Sequence, residues 1–352
     1  MKVISASELR TIGIRLFVAC GAPEPEAAIV SDELVESSLM GFDSHGIIRF
    51  PQYVDTTLSG VNKPGAPIQV VQETATTALV DCGFNYGQVG AARMAELAIE
   101  KAQAMNLACI VSKDCNHVGR LGAWPQRVAA RGLFGLAVVT NPLRGHWVLP
   151  FGGSERRLGT NPIAYAAPTS SDPIMLDMST CVLPEGKIRM LLQQGKPVPN
   201  GVLVDSQGNP SNNPADLYGP PRGSLLPIGG EFGYKGFGLG LLVEILGNLL
   251  AGYAASQDYP HQNGLCLIAI NPDAFCGRER FRELLDDLTQ FMTSTPPTAN
   301  SRGVMMPGAP EFATKRKRLA EGIPVADETW RLLVQAGEKC GVGVDGSQWL
   351  IL

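Results

Sequence analysis

From about Pro67 onward the chain alternates short apolar, β-branched runs with helical stretches, and this texture decides the fold class before any motif is read. The runs IQVVQ, TALVDC, LACIVS, GLAVVT, PIAYAAP and IMLDM have the length and composition of strands, and the stretch VGAARMAELAIEKAQAM between two of them has helical periodicity. One more buried strand, GLCLIAI, comes late, after a helix over about 235–252. Both chain ends read as helical. Ser5 followed by Glu8 is a capping box that opens a first helix ending at Gly21 and Pro23. A second helix runs from about Glu24 to Met40, and the segment 277–352 is helical and charged, broken by the loop TSTPPTANSRGVMMPGAPE. The core is therefore α/β. Strands and helices do not alternate strictly, however, and the Gly/Pro-dense segments near 141–162 and 195–236 are long for the tight connections of a doubly wound sheet.

A chain of 352 residues with 45% hydrophobic side chains can bury a large core, in two to three domains or in one large domain with an excursion. Its formal net charge of −4 supplies no basic stripe, which argues against nucleic acid or an anionic membrane as a partner. The start, MKVISASELR, lacks the apolar core of a secretory signal, so a cytoplasmic location is expected. The longest apolar run, Gly236 to Tyr253, contains Glu244 and Asn248 and reads as a buried helix rather than a membrane span. Eight scattered cysteines form no C-x-x-C pair, and no two of the four histidines share i, i+4 spacing; reduced, structural cysteines and no metal site are expected.

No G-x-G-x-x-G follows an early strand to open a helix, and no Walker A or G-x-S-x-G pattern occurs. The glycine cluster FGYKGFGLG follows a loop and merges into the apolar helix, so it is a poor dinucleotide fingerprint. Two histidine loops carry more chemistry. In GFDSHGIIRF, His45 lies beside Ser44, with Arg49 four residues on and Tyr53 four further. Histidine exchanges protons near neutrality and arginine binds a carboxylate with two parallel bonds, a combination suited to a 2-oxo acid. The same pattern also fits a capped helix end with a structural histidine. In SKDCNHVGRLGAW, His117 sits between a strand and a helix, where Gly119 and Gly122 let backbone amides approach a phosphate. A histidine satisfying turn carbonyls fits there equally well. Asp177, Ser179 and Thr180, at the end of the IMLDM run, could bind ribose or amide groups, although such residues are common in turns. His146 and His261 read as structural or surface residues.

Taken in order, SHGIIRF, NHVGRLG, RLGTNPIAYAAP, LDMST, YKGFGLGLLVEILGNLLAG and MPGAPEF with KRKRLAEGIP resemble the malate/L-lactate dehydrogenase family of the second type. That family also includes hydroxycarboxylate and ureidoglycolate dehydrogenases, 2,3-diketo-L-gulonate reductase, sulfolactate dehydrogenase and piperideine-2-carboxylate reductases. The resemblance implies a non-Rossmann, sulfolactate dehydrogenase-like NAD(P)-binding α/β fold. Residues 71–276 would form the NAD(P)-binding domain, and 1–70 with 277–352 a helical substrate and dimerisation domain. It implies a homodimer, NAD or NADP as cofactor, and hydride transfer between NAD(P)H and a small 2-oxo or 2-hydroxy acid. By similarity, His45 with Ser44 is the proton-transfer pair, His117 the other candidate acid/base, and Arg49 the carboxylate anchor, with Tyr53 and Thr160 on the substrate side. Cofactor contacts carry over to His117, Val118, Gly119, Arg120, Leu121, Thr160, Asp177, Met178, Ser179, Tyr234, Lys235, Pro307, Gly308 and Ala309. The chain departs from the common pattern at Tyr234 and Ala309, where many relatives carry histidine and glutamate, and in CVLPEGK, where Pro184 and Glu185 are unusual. Reduction of a cyclic imino acid (piperideine- or pyrroline-2-carboxylate) is the alternative within the family, and a catalytically silent binding protein the alternative outside it. Retention of His45, Arg49, His117 and Lys235 speaks against silence.

Overall fold

The computed structural model describes residues 1–142, 145–257 and 262–344. Ser5 caps the first helix, α1 (Ala6–Ala19), its hydroxyl accepting from the Glu8 amide at 3.2 Å and so satisfying an otherwise unpaired N–H. Pro25 lies in the first turn of α2 (Glu24–Leu39), where a missing N–H costs nothing. Two 3-10 turns, Asp43–His45 and Ile47–Arg49, lead into α3 (Phe50–Leu58). The far end of the chain closes on these helices. Strand β1 (Lys2–Ile4) pairs antiparallel with β12 (Ile323–Val325), and α10 (Asp327–Cys340) packs on α1 and α3. Phe17 sits at the centre, 5.6 Å from Phe50 edge-on and 5.6 Å from Tyr86, and this aromatic contact fixes how α3 is presented.

The central sheet has seven strands: β2 (Gln69–Glu73), β3 (Thr77–Asp81), β4 (Leu107–Lys113), β5 (Phe134–Val139), β6 (Ile163–Ala167), β7 (Ile174–Met178) and β11 (Leu265–Ile270). Their spatial order is β2-β3-β4-β11-β5-β6-β7, and only β3 and β4 run parallel, joined by α4 (Gly87–Met105). The late strand β11 inserts antiparallel between β4 and β5, with Cys266 opposite both Val111 and Val138. Both faces are covered at the centre of the sheet, which is why β4, β5 and β11 read as continuous apolar runs, while every residue of the edge strand β2 is exposed. Leu265, Leu267 and Ala269 face α4 and α5 (Ala123–Ala129), together with the fully buried Trp124; Cys266 and Ile268 face α7 (Tyr234–Gly247).

The apolar helix over 234–251 departs from its expected burial. One side packs on the sheet, where Glu244 accepts from Asn161 and Asn248 at 2.9 Å each and so buries a carboxyl with its hydrogen bonds met. The other side leaves Leu241, Leu242, Ile245, Leu249 and Leu250 exposed. Hydropathy registered a helix apolar all round and could not show that only half of it meets this chain. By length and composition Tyr234–Ala251 would also pass for a membrane span. The segment 195–236, expected to be a long connection, is itself partly folded. Strands β8 (Leu203–Val204), β9 (Pro210–Ser211) and β10 (Ser224–Leu225) and the helix α6 (Glu185–Gln193) enclose a separate cluster including Ile188, Val202 and Leu217. Of the remaining helices, α8 (Arg278–Thr293) buries none of its residues, and α9 (Ala309–Glu321) ties to α2 through Lys315 and Glu36, 2.5 Å apart.

Helix α7 approaches β11 through two glycines: a Cβ on Gly247 would stand 2.4 Å from the Gly264 carbonyl oxygen and 2.8 Å from Thr140 Cγ2. Gly247→Ala should therefore lift α7 off the sheet and destabilise the fold by about 1–3 kcal/mol, the usual cost of overpacking. A lowered denaturation midpoint is expected; an unchanged one would mean that α7 is free to shift.

Candidate active site

The turn after α2 places His45. Gly46 packs so closely on α2 that a Cβ there would lie 2.0 Å from Ser38 Oγ, and the same Ser38 oxygen accepts from the Ile47 amide at 3.0 Å. Any side chain at 46 would displace the turn, which gives the Ser-His-Gly sequence a steric reason. Ser44 Oγ lies 2.9 Å from His45 Nδ1. Arg49 folds back over this turn, donating from Nε to the Ser44 carbonyl at 2.7 Å and from one terminal nitrogen to Gln52 Oε1 at 2.5 Å.

The loop after β4 places His117. Gly87, at the start of α4, touches this loop so closely that a Cβ would sit 2.2 Å from the Asn116 carbonyl oxygen. The rings of His45 and His117 stack, with centroids 5.6 Å apart and planes 17° apart. Tyr53, nearly buried on α3, accepts from Gln88 Nε2 at 2.8 Å and presents its hydroxyl 2.6 Å from His117 Nδ1. The Gly119 amide also donates to Nδ1, at 3.3 Å. A backbone amide can only donate, so Nδ1 is an acceptor and the neutral ring carries its proton on Nε2. Burial pushes the Tyr53 hydroxyl up to about 12, which keeps it a donor at neutral pH. The tautomer of His45 is not locked in this way, because the Ser44 hydroxyl can either donate or accept.

Both histidines favour the neutral form. Burial first, and then the Arg49 and Arg120 charges, push His45 down to about 4; burial, Arg49 and His45 hold His117 well below its ordinary value. Burial likewise works against the Arg49 charge, which is the situation of a cation awaiting an anionic partner.

A cleft opens over this pair in two lobes. The larger, about 370 Å³, is lined by Ser44, His45, Arg49, Tyr53, His117 and Thr160; the smaller, about 170 Å³, by His117 to Leu121, Thr160 and Asp177 to Ser179. Ser44, His45, His117 and Thr160 belong to both. The smaller lobe has groups that fit a nucleotide. Gly119 has φ +75°, a left-handed turn that glycine adopts without strain; Asp177 accepts from the Gly122 amide at 2.7 Å; Arg120 is buried with Nε lacking a partner among the described residues. An orphaned guanidinium nitrogen in a glycine-bearing loop suits a phosphate, and a carboxylate beside Ser179 suits ribose.

Other residues expected at the site lie outside both lobes. Pro307 accepts from the Met175 amide at 3.0 Å, so Gly308 and Ala309 run alongside β7. Tyr234 is half exposed at the start of α7, and Lys235 stands over the Phe232 ring at 5.3 Å. Thr180 turns to the Thr160 carbonyl. His146 is buried away from the cleft, in keeping with a structural role, and His261 lies outside the described residues. Gln88, Asn62, Asn141, Asn263 and Arg189 were missed. Asn62, Asn141, Asn263 and Arg189 reach the larger lobe only through tertiary contact, so no local spacing marks them.

Comparison with known proteins agrees with this geometry. A family model described as malate/L-lactate dehydrogenase matches residues 4–334. Malate dehydrogenase of Pyrococcus abyssi is 33% identical over 350 residues, covering 96% of this chain and 95% of the relative. Sulfolactate dehydrogenase of Methanocaldococcus jannaschii superposes with a TM-score of 0.88 at 30% identity, over 98% of this chain and 99% of that one. A Δ1-piperideine-2-carboxylate reductase from Pseudomonas syringae superposes with a TM-score of 0.82 at 27% identity, over 96% and 100%. The two-lobed cleft, its histidine pair and these whole-length similarities lead to one conclusion: the chain belongs to the malate/L-lactate dehydrogenase family.

Proposed function

We propose that this protein is a cytoplasmic, pyridine-nucleotide-dependent oxidoreductase acting on CH–OH, which interconverts a small 2-oxo acid and its 2-hydroxy acid with NAD or NADP. The observation that carries this reading is the meeting of the two lobes at His45 and His117, with Arg49 alongside. When bound, the nicotinamide supplies or takes the hydride at substrate C2. Arg49 holds the substrate carboxylate, and this fixes C2 beside the histidines. Protonated His45 can donate from Nδ1 to Ser44 Oγ and from Nε2 to the substrate oxygen, so it takes the acid/base role. Protonation of His117 would break the Gly119 bond to Nδ1, so His117 acts as a fixed Nε2 donor to that oxygen. Thr160 and Tyr53 complete the substrate lobe. The loop His117 to Leu121 with Asp177, Met178 and Ser179 takes the nucleotide. The departure of the sheet from parallel order supports a non-Rossmann dinucleotide site. Residues 1–70 with 277–352 then serve as the substrate and dimerisation unit, and 71–276 as the cofactor unit. A cyclic imino acid could use the same anchor, and the likeness to the piperideine reductase makes this the second reading.

The pH profile distinguishes the two histidines. With His45 near 4 in the free protein, its neutral form prevails above that pH. Hydroxy-acid oxidation, which needs the base, should show kcat/KM flat from pH 6 to 8. Reduction, which needs the acid, should fall about tenfold per pH unit over the same range. His45→Ala should lower kcat by about 10² to 10⁴ and abolish this slope, whereas His117→Ala should keep the slope. The reverse pattern would exchange the two roles.

Arg49→Lys keeps the charge but loses the planar fork, so kcat/KM for 2-oxo acids should drop by about 2–4 kcal/mol with cofactor affinity little changed. Equal weakening of cofactor and substrate would place Arg49 with the cofactor or the fold. Turnover of piperideine-2-carboxylate in place of 2-oxo acids would select the second reading.

The exposed side of α7 supports a homodimer, since a row of leucines of this extent on a monomer is an interaction surface. Tyr234 and Lys235 begin that helix, so their assignment to the cofactor, with that of Pro307, Gly308 and Ala309, is tied to the assembled dimer. Sedimentation at micromolar concentration should show a dimer, and Leu242→Glu should dissociate it. A compact, fully active wild-type monomer would overturn the dimer.

A further inference from the structure

The larger lobe carries charged and hydrogen-bonding groups that the acid/base chemistry leaves unused. Besides Arg49, the charged residues among its described lining are Glu185 and Arg189, one turn apart on α6. Arg189 donates to Glu185 Oε1 from Nε at 3.0 Å and from a terminal nitrogen at 2.7 Å, and the Tyr218 hydroxyl donates to the same oxygen at 2.9 Å. The Glu185 side chain is 14% exposed and that of Arg189 is 59% exposed, so the carboxylate is the fixed member of the pair. With both histidines neutral, the described lining holds two arginines and one carboxylate. One positive charge is left over. A single substrate carboxylate on Arg49 neutralises it, and a second anionic group would find Arg189 already paired and Glu185 facing it.

The neutral groups in the lobe point the same way. Asn62 gives its amide nitrogen to Thr56 Oγ1 at 2.7 Å, Asn141 to Thr160 Oγ1 at 3.4 Å, and Asn263 to the Thr140 carbonyl at 2.9 Å. Asn116 gives its own to the carbonyls of Val61, Phe84 and Asn85. Among the described residues the side-chain oxygens of all four have no protein partner, and none is sealed from solvent; Asn62 and Asn116 line the larger lobe, Asn141 and Asn263 the place where the two lobes meet. An amide oxygen only accepts, so it is satisfied by a hydroxyl or an N–H and repelled by a carboxylate or sulfonate.

We propose that the substrate is a monocarboxylic 2-oxo or 2-hydroxy acid whose distal substituent is neutral and donates hydrogen bonds, a hydroxyl or an amide N–H, and that Glu185 excludes a second acidic group. This rests on the reading of the cleft as a 2-oxo acid site. It makes Glu185 a specificity determinant, and it gives a function to a residue that stood out in the sequence only as unusual.

Oxaloacetate and freshly dissolved 2-oxosuccinamate test it, because they differ only in a distal carboxylate against a distal amide. Initial rates with saturating NADH or NADPH, with pyruvate as reference, should give the amide a kcat/KM at least about tenfold above oxaloacetate, chiefly through KM. Glu185→Gln should move that ratio about tenfold or more toward oxaloacetate. Arg189→Gln, at an exposed position, should move it the other way, which keeps the test open if the first variant does not fold. Oxaloacetate used as well as or better than its amide by the wild type overturns the proposal, as does a ratio that neither variant moves. Failure to reduce any of the three compounds, pyruvate included, would remove the 2-oxo acid reading itself and the inference with it.

Discussion

The side-chain amide of Asn116 donates to the backbone carbonyls of Val61, Phe84 and Asn85 at 3.1, 2.7 and 3.1 Å, and the geometry of the cleft depends on that anchorage. Val61 follows α3, which carries Tyr53; Phe84 and Asn85 join β3 to α4, which carries Gln88. One buried group thus sets the distance between the helical end unit and the sheet at the point where His117 projects. The donor end of this amide is held in a single arrangement, because each alternative leaves a carbonyl unpaired. Gly87 lets α4 come within contact of the same loop, and the Gln88–Tyr53–His117 chain then orients the imidazole. The cleft is built at a junction, from elements far apart in sequence, and its precision comes from hydrogen bonds rather than from the apolar cores on either side.

That origin explains what could be read in the sequence. The helices at both ends and the seven strands of the central sheet follow from periodicity, capping and run length, all local properties. The SHG, NHVGRLG and LDMS segments stood out through their histidines, their acid and hydroxyls and the order in which they occur, and the structure adds the steric reason for two of their glycines, Gly46 against Ser38 and Gly122 against Asp177. The insertion of β11 between β4 and β5 was not legible, since a strand apolar on both faces can pair with any neighbour. Nor was the rest of the larger lobe's lining. Asn62, Asn141, Asn263 and Arg189 lie in four separate elements or loops, and each resembles an ordinary polar residue until the fold brings them around one cavity. The exposed half of α7 escaped notice for a related reason, because hydropathy reports that a side chain avoids water and says nothing of which chain shields it.

The electrostatics of the cleft join these parts into a working order. Without an anion, burial disfavours a proton on both histidines and the Arg49 charge adds to the effect, so the pair rests neutral. A carboxylate placed on Arg49 cancels that repulsion and brings its own negative charge near His45, raising the tendency of the ring to take a proton. On the proposed assignment, substrate binding and protonation of the acid would be coupled through one guanidinium, and His45 rather than His117 would take the proton, because Ser44 Oγ can turn to accept from it while the Gly119 amide holds His117 Nδ1 as an acceptor. A second anion in the larger lobe would meet the Glu185 carboxylate among its lining. Arg49 thus bears on both the histidine pair and the proposed carboxylate site, whereas Glu185 and Arg189, paired with each other on α6, bear on what else the larger lobe admits.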